Sequence, residues 1–290
     1  MGNWKQLSPS IPHHLDFGVA YGMTDTGTVR QANQDNFFIS SELGLVAVAD
    51  GMGGHDSGDI ASADALNLLY QFIRAARQNG DAPPDGDATV PAFRPSAFNP
   101  AQTDPEATWT DATMKAMITL HDAVEFANER MYQTNLANDQ EEGSGMGTTL
   151  TGMWQVAPDG PVFVFHVGDS RLYCWRGGRL SQLTRDQTLY QQALEAGAPE
   201  PLPARNLLLQ ALGPAADIKP DLQTQVIMPG DVYLLCSDGL HGASDAEQIA
   251  AVMARATAAN LGECCAQLIE MAKRDGSRDN ITALLIRCKD

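Results

Sequence analysis

Residues 45–54 read LVAVADGMGG, so that five apolar residues run directly into an aspartate and a glycine-rich turn. The apolar run 45–49 has the length and bounding residues of a buried β-strand. Such a strand would carry Asp50 to the end of a rigid element. The pattern is weak evidence alone, because Asp-Gly is also a common turn dipeptide.

The same context recurs at three further aspartates, each at one end of an apolar, strand-like run: Asp169 after 162–167, Asp238 after 232–236 and Asp279 before 281–287. A sheet holds side chains at its strand ends firmly, as a metal site requires. Buried together without cations, such carboxylates would cost several kcal/mol each. Mg²⁺ and Mn²⁺ prefer oxygen ligands of this kind. The pattern therefore predicts a site for Mn²⁺ or Mg²⁺.

Arg30 opens the polar stretch 30–36, which leads into another strand-like run. A guanidinium can hold a phosphate through two parallel hydrogen bonds, and this would suit a phosphoryl group beside metal ions. Taken alone, an arginine in a polar stretch is more often a solvated side chain.

The remaining pattern places strands and helices in separate groups. Strand-like runs cover 17–23, 36–39, 43–49, 148–156, 162–167, 171–175, 232–236 and 281–287, and helical patterns cover 60–77, 112–136, 245–258 and 261–273. Grouped strands beside grouped helices favour an α+β layered sandwich. Residues 79–111 contain six prolines and no periodicity, which indicates an exposed insertion.

The net charge and the residue composition exclude some classes of partner. The chain has 36 acidic and 19 basic residues, a formal charge of −17 that disfavours nucleic acid and anionic membranes as partners. No apolar run approaches the ~20 residues of a membrane span, and the N-terminus has no signal-peptide pattern. The five cysteines form no C-x-x-C pair. We expect a cytoplasmic protein with structural cysteines.

Seven motifs occur in an order that resembles the PPM family, the metal-dependent protein phosphatases of the type 2C class, in their bacterial form. They are Thr24–Gly27 with Arg30 and Asp35-Asn36, Asp50–His55, Gly147–Thr149, Gly168–Arg171, Ala211–Gly213, Ser237–Leu240 and Asp279–Thr282. The resemblance implies a single catalytic domain over 1–290, with a core at about 16–287, the insertion 79–111 and a flap-like segment 184–212. It also implies a four-layer α-β-β-α sandwich of two antiparallel sheets.

The resemblance implies a role for each site residue. Asp50 would bridge two metal ions, the Gly51 carbonyl would bind one of them, and Asp238 and Asp279 would complete the second. Asp169 with Asp238 would hold a third, weaker ion. Asp35 would accept a hydrogen bond from a metal-bound water, and Arg30 would bind the substrate phosphate. Gln34, where the family usually has Glu, and His55 would lie beside the metal ligands and hydrogen-bond to metal-bound water.

The resemblance implies hydrolysis of phosphoserine and phosphothreonine on proteins by a metal-activated water, in a monomer that opposes a Ser/Thr kinase acting on the same targets. Two alternatives stay open at this stage. One is a catalytically weak binding module, which Gln34 alone supports, and the other is a phosphatase of small phosphate esters. The sequence contains no Walker motif and no G-x-S-x-G elbow.

Overall fold

Two antiparallel sheets form the centre of the computed structural model, which describes residues 8–53, 57–79, 98 and 110–290. The first sheet has the order β1-β2-β12-β11-β8-β9. Its strands are β1 (His13–Leu15), β2 (Gly18–Asp25), β8 (Arg171–Arg176), β9 (Arg179–Gln182), β11 (Val232–Cys236) and β12 (Ile281–Cys288).

The second sheet has the order β10-β7-β6-β4-β3, and β5 pairs with the end of β4. Its strands are β3 (Asp35–Ser40), β4 (Leu45–Met52), β5 (Gly147–Thr148), β6 (Leu150–Gln155), β7 (Val162–Val167) and β10 (Asp221–Gln225). Every strand pair in both sheets is antiparallel.

Helices cover the outer face of each sheet. Helices α1 (Ser57–Asn79) and α2 (Asp111–Ala137) pack with the second sheet, and α5 (Ala246–Met253) and α6 (Leu261–Arg274) pack with the first. Two short helices, α3 (Leu189–Glu195) and α4 (Asp238–His241), lie in the connections. No helix in the described part of the chain combines the length and apolarity that a bilayer crossing needs.

Alternation along the strands separates three layers of core. In β3, Phe38 packs into the cluster under α1 and α2, while its neighbour Phe37 packs between the two sheets. Leu234 and Leu235 of β11 divide in the same way between the helix side and the sheet side of the first sheet. Because successive strand residues face opposite sides, both faces of each sheet are buried, and the predicted four-layer sandwich is confirmed.

The structure corrects the predicted elements in a few places. Asp50 lies inside β4 and not in a turn after it, because it pairs with Asp35 of β3 and the next two residues, Gly51 and Met52, pair with β5. The helix predicted over 245–258 ends at Met253. The sequence pattern also missed β1, β9, β10 and the two short helices, which are short or carry few apolar residues. The predicted insertion 79–111 falls largely outside the described residues.

Candidate metal centre

Five aspartates converge where the ends of strands from the two sheets meet. In an antiparallel sheet, the end of one strand lies beside the start of its neighbour. Asp35 at the start of β3 therefore faces Asp50 near the end of β4, as a registered pair. Asp238 follows β11, and Asp279 precedes its antiparallel neighbour β12. Asp169 occupies the turn between β7 and β8, which connects the two sheets.

The pKa of Asp50 reflects its burial and the proximity of the other four aspartates. Burial raises its pKa well above the usual range, and the fields of the other four aspartates raise it further. Burial and neighbouring carboxylates also raise the pKa of Asp35 and of Asp169 to about 7 and shift the pKa of Asp238 upward. The site therefore resists carrying its full negative charge unless positive charge is added.

Two carboxylate oxygens of this cluster lack hydrogen-bond partners. Oδ1 of Asp35 and Oδ1 of Asp238 are buried and have no hydrogen-bond partner among the described residues. A buried carboxylate oxygen without a partner is costly, and a cation or its water shell would satisfy it. The donors are all oxygen atoms, which suits Mg²⁺ or Mn²⁺ and not zinc. The residues present thus fit a divalent cation.

The spacing of the carboxylates limits how they could bind an ion. Within the described residues, one group of three ligating side chains has donor atoms all within 4.8 Å of one another: His121, Asp122 and Glu125 on α2. None of the five aspartates belongs to it. Ions between the aspartates would therefore need further oxygen ligands from backbone carbonyls or solvent, as Mg²⁺ commonly does.

Backbone packing around the aspartates leaves no room for side chains at two glycines. A Cβ atom on Gly51 would lie 1.9 Å from the Gly58 carbonyl oxygen and 2.6 Å from that of Gln34. A Cβ atom on Gly239, next to Asp238, would lie 1.9 Å from the Asn280 carbonyl oxygen. Both glycines are thus required by close approach of the backbone.

Several residues that orient the aspartates were not singled out from the sequence. Asp35 Oδ2 accepts hydrogen bonds from the Ser237 hydroxyl at 2.6 Å and the Thr282 hydroxyl at 2.8 Å, so Asp35 ties the second sheet to the first. Thr149 Oγ1 accepts the Asp50 backbone N–H at 3.0 Å. The only signal in the sequence was that these residues lie within the ordered motifs.

Asn280 fixes the loop that carries Arg30. Its Oδ1 accepts the Gln34 backbone N–H at 2.9 Å, and its Nδ2 donates to the carbonyl oxygens of Thr26 and Ala32, each at 2.9 Å. The loop therefore closes back onto the start of β12, beside Asp279. This contact also had no assigned role in the sequence analysis.

Arg30 lies at the mouth of the cluster, where its Nη2 donates to Asp279 Oδ2 at 2.6 Å. The Arg30 side chain is half exposed, at 50%. It lines a cavity of about 640 Å³ together with Asp238, Asp279 and the segment 275–278. The guanidinium is thus both anchored and open to a ligand.

The other predicted site residues have different placements. The Gln34 side chain lies against the start of α1, where a Cβ atom on Gly58 would come 2.7 Å from its Nε2. His55 lies outside the described residues. The predicted flap-like segment 184–212 contains α3 and contacts the β7–β8 turn, since Gln187 Oε1 accepts the Gly168 N–H at 2.7 Å. The roles assigned to these residues stay predictions.

Comparison with known proteins gives consistent matches. The protein phosphatase 2C family model matches residues 28–271. The chain is 31% identical over 268 residues to the serine/threonine protein phosphatase PstP of Mycobacterium tuberculosis, covering 90% of this chain but 43% of that protein. The chain therefore spans less than half of that relative's length.

A shorter relative and a solved structure match over nearly their whole length. A putative protein phosphatase 2C-type of Streptococcus pyogenes is 30% identical over 274 residues, covering 91% of this chain and 94% of that protein. A crystal structure of the catalytic domain of PstP in complex with two manganese ions aligns with a TM-score of 0.69 at 28% identity, over 93% of this chain and 98% of that one.

The raised pKa values predict an unusual pH dependence for the metal-free chain. Between the ordinary aspartate pKa and about 7, folded Asp35 and Asp169 hold protons that the unfolded chain releases. The free energy of unfolding must therefore fall as pH rises through this range, by up to about 1.4 kcal/mol per pH unit for each group. Thermal or urea unfolding in EDTA from pH 5 to 8 measures the slope.

Asp35→Asn should flatten this slope, since the amide can still accept the Ser237 and Thr282 hydrogen bonds but does not titrate. Asp217→Asn, at an exposed position, is the matched control and should keep the wild-type slope. Equal slopes for wild type and Asp35→Asn would contradict the assignment.

Thr149→Val tests the support of Asp50. The substitution keeps the side-chain shape but leaves the Asp50 N–H without its acceptor, which should lower the free energy of unfolding by about 1–3 kcal/mol. It should also weaken Mn²⁺ binding, measured by calorimetric titration. Thr134→Val on the exposed face of α2 removes a hydroxyl bonded only within its helix and should change neither quantity appreciably. Unchanged Mn²⁺ affinity in Thr149→Val would exclude this role.

Proposed function

Because this chain belongs to the protein phosphatase 2C family, we propose that it hydrolyses phosphoserine and phosphothreonine on proteins with the help of bound divalent cations. The observation that carries the proposal is the convergence of five aspartates beside Arg30 at a cavity of about 640 Å³. Such a cavity is larger than a phosphate group needs, which suits a phosphorylated residue with part of its flanking chain.

Mn²⁺ or Mg²⁺ would be held by Asp50, Asp238, Asp279 and the Gly51 carbonyl as two core ions, with Asp169 and Asp238 holding a third, more weakly bound one. The relative crystallised with two manganese ions supports this cofactor. When bound, such ions supply hydroxide from coordinated water near neutral pH and neutralise charge on the phosphoryl oxygens.

Arg30 would bind and orient the phosphoryl group. Its contact with Asp279 places the guanidinium beside two of the proposed ligands, and its half-exposed fork leaves donors for a phosphate oxygen. Bidentate binding by arginine fixes the direction of the phosphorus relative to an attacking water. The same donors stabilise the charge that develops in the transition state.

Asp35 would orient the attacking water. Ser237 and Thr282 hold its Oδ2, so the carboxylate cannot rotate freely, and its Oδ1 is left without a partner among the described residues. That oxygen can accept a hydrogen bond from the nucleophile. Gln34 and His55 would hydrogen-bond to water bound by the ions.

The substrates would be proteins phosphorylated by a bacterial Ser/Thr kinase, with the kinase itself among them. The relatives named as serine/threonine phosphatases support phosphorylated serine and threonine as the target. We place the activity in the cytoplasm, in a monomer with one catalytic domain over 1–290, its insertion at 79–111 and a flap at 184–212. The net charge of −17 argues against nucleic acid and anionic membranes as partners.

Chelation tests the metal requirement. Excess EDTA should abolish hydrolysis of a phosphothreonine peptide, and Mn²⁺ should restore it. Asp238→Asn should lower kcat/KM by about 100-fold or more, because it removes a shared ligand. Asp217→Asn should behave as wild type. Full activity in EDTA would refute the proposal, and hydrolysis of p-nitrophenyl phosphate without hydrolysis of any phosphopeptide would favour a phosphatase of small esters.

Arg30→Ala tests phosphate recognition. Loss of the guanidinium should lower kcat/KM for the phosphopeptide by roughly 100-fold, and Arg30→Lys should recover only part of it, since an ammonium lacks the planar fork. Mn²⁺ affinity should not fall, because the substitution releases Asp279 from its ion pair. The exposed Arg179→Ala serves as the control. An unchanged kcat/KM in Arg30→Ala would remove Arg30 from the site.

A further inference from the structure

A partly buried hydrogen bond joins the backbone of Asp169 to His241, which lies three residues after Asp238, the other aspartate of the proposed third cation site. Helix α4 begins with Asp238 and ends one turn later with His241. His241 Nε2 lies 3.0 Å from the backbone carbonyl oxygen of Asp169. A carbonyl oxygen only accepts, so Nε2 carries the proton and donates to it.

This hydrogen bond joins segments that are 72 residues apart in the chain. Asp169 is buried, with 8% of its surface exposed, and the charge of Asp238 is among the causes that raise its pKa. The two carboxylates therefore lie close enough to repel each other. The hydrogen bond from the His241 side chain to the Asp169 carbonyl oxygen holds the two segments together against that repulsion.

The other contacts of the turn hold it from different sides. Gly168, with a φ of 104°, donates its N–H to Gln187 in the predicted flap. The Ser170 hydroxyl is hydrogen-bonded to Thr149 at 2.7 Å. Neither contact reaches α4. Among the hydrogen bonds of the described residues, that of His241 connects the Asp169 turn to the helix that carries Asp238.

We propose that His241 is a positioning residue for this third cation site, which holds the Asp169 turn against α4 so that Asp169 and Asp238 can bind one ion together. The inference rests on the proposed function, since that function assigns the ion. Residues that orient metal ligands commonly change metal affinity by about 10- to 100-fold when they are replaced. A weakly held ion should be the most sensitive to such a loss.

A pair of substitutions separates hydrogen bonding from packing. His241→Gln keeps an N–H donor at a comparable distance from the backbone, whereas the shorter side chain of His241→Asn does not reach the Asp169 carbonyl. Mn²⁺ titration followed by electron paramagnetic resonance measures the concentration of free Mn²⁺ and so separates tightly binding from weakly binding sites. Asp169→Asn defines complete loss of the weak class.

The chain offers a matched control in His166. It is more buried than His241, and its Nε2 also lies 3.0 Å from a backbone carbonyl oxygen, that of Arg185. His166→Asn therefore removes a similar hydrogen bond away from α4. Comparison with it shows whether any loss of Mn²⁺ binding is a general effect of disturbing a buried histidine.

We expect His241→Asn to weaken the third Mn²⁺ by about 10-fold or more while the tight class is unchanged. His241→Gln should stay within a few-fold of wild type, and His166→Asn should keep both classes. Wild-type binding of the third ion in His241→Asn would overturn the inference. So would equal weakening of both classes, which would mark a purely structural role. If His241→Asn does not fold, His241→Leu provides the same comparison.

The outcomes also separate this inference from the proposed function. Wild-type protein that binds no Mn²⁺ and hydrolyses no phosphopeptide would refute the function. If the wild-type protein binds Mn²⁺ and hydrolyses the phosphopeptide, but the His241 variants bind the third ion as tightly as wild type, only the positioning role would be refuted.

Discussion

Mutual repulsion among aspartates gathered at the ends of strands from both sheets is the constraint on which the rest of this structure depends. Five carboxylates lie within each other's fields, and burial raises the pKa of four of them. Removing charges from water and placing like charges together both disfavour the folded state. The fold therefore has to hold these groups by contacts made elsewhere, and those contacts explain most of the polar residues around the site.

The antiparallel sandwich provides the rigidity that the cluster needs. Three core layers pack both faces of both sheets, so the strand ends have little freedom to separate. Hydrogen bonds then join the two sheets at the site itself, through Asp35 with Ser237 and Thr282. Around them, Thr149 and Asn280 hold the backbone of Asp50 and of the Arg30 loop. The packing and these hydrogen bonds thus hold the repelling aspartates in a fixed geometry. Cation binding and phosphoryl transfer both require such a geometry.

Basic residues are few in this chain, and one of them, Arg30, lies beside the aspartate cluster. With 19 basic against 36 acidic residues, a guanidinium beside the aspartates is an exception to the general acidity. Arg30 offsets part of the cluster's charge through Asp279 and remains half exposed. This contact reduces repulsion at the cluster without supplying another ligand.

Much of the site was predictable from the sequence because its signals are local. Apolar runs of strand length flank Asp50, Asp169, Asp238 and Asp279, and the grouping of strands and helices indicates the layered α+β class. The four-layer arrangement and the membership of the family followed from ordered motifs and are confirmed.

Only the tertiary structure decides which strand ends meet, because sheet order and register depend on contacts between residues far apart in the chain. The pairing that draws Asp50 into β4 opposite Asp35, the bonds from Ser237 and Thr282 across the sheets, and the contact of His241 with the Asp169 turn are all of this kind. Hydrophobic periodicity specifies the face on which a side chain lies. It contains no information on the partner that the side chain meets there.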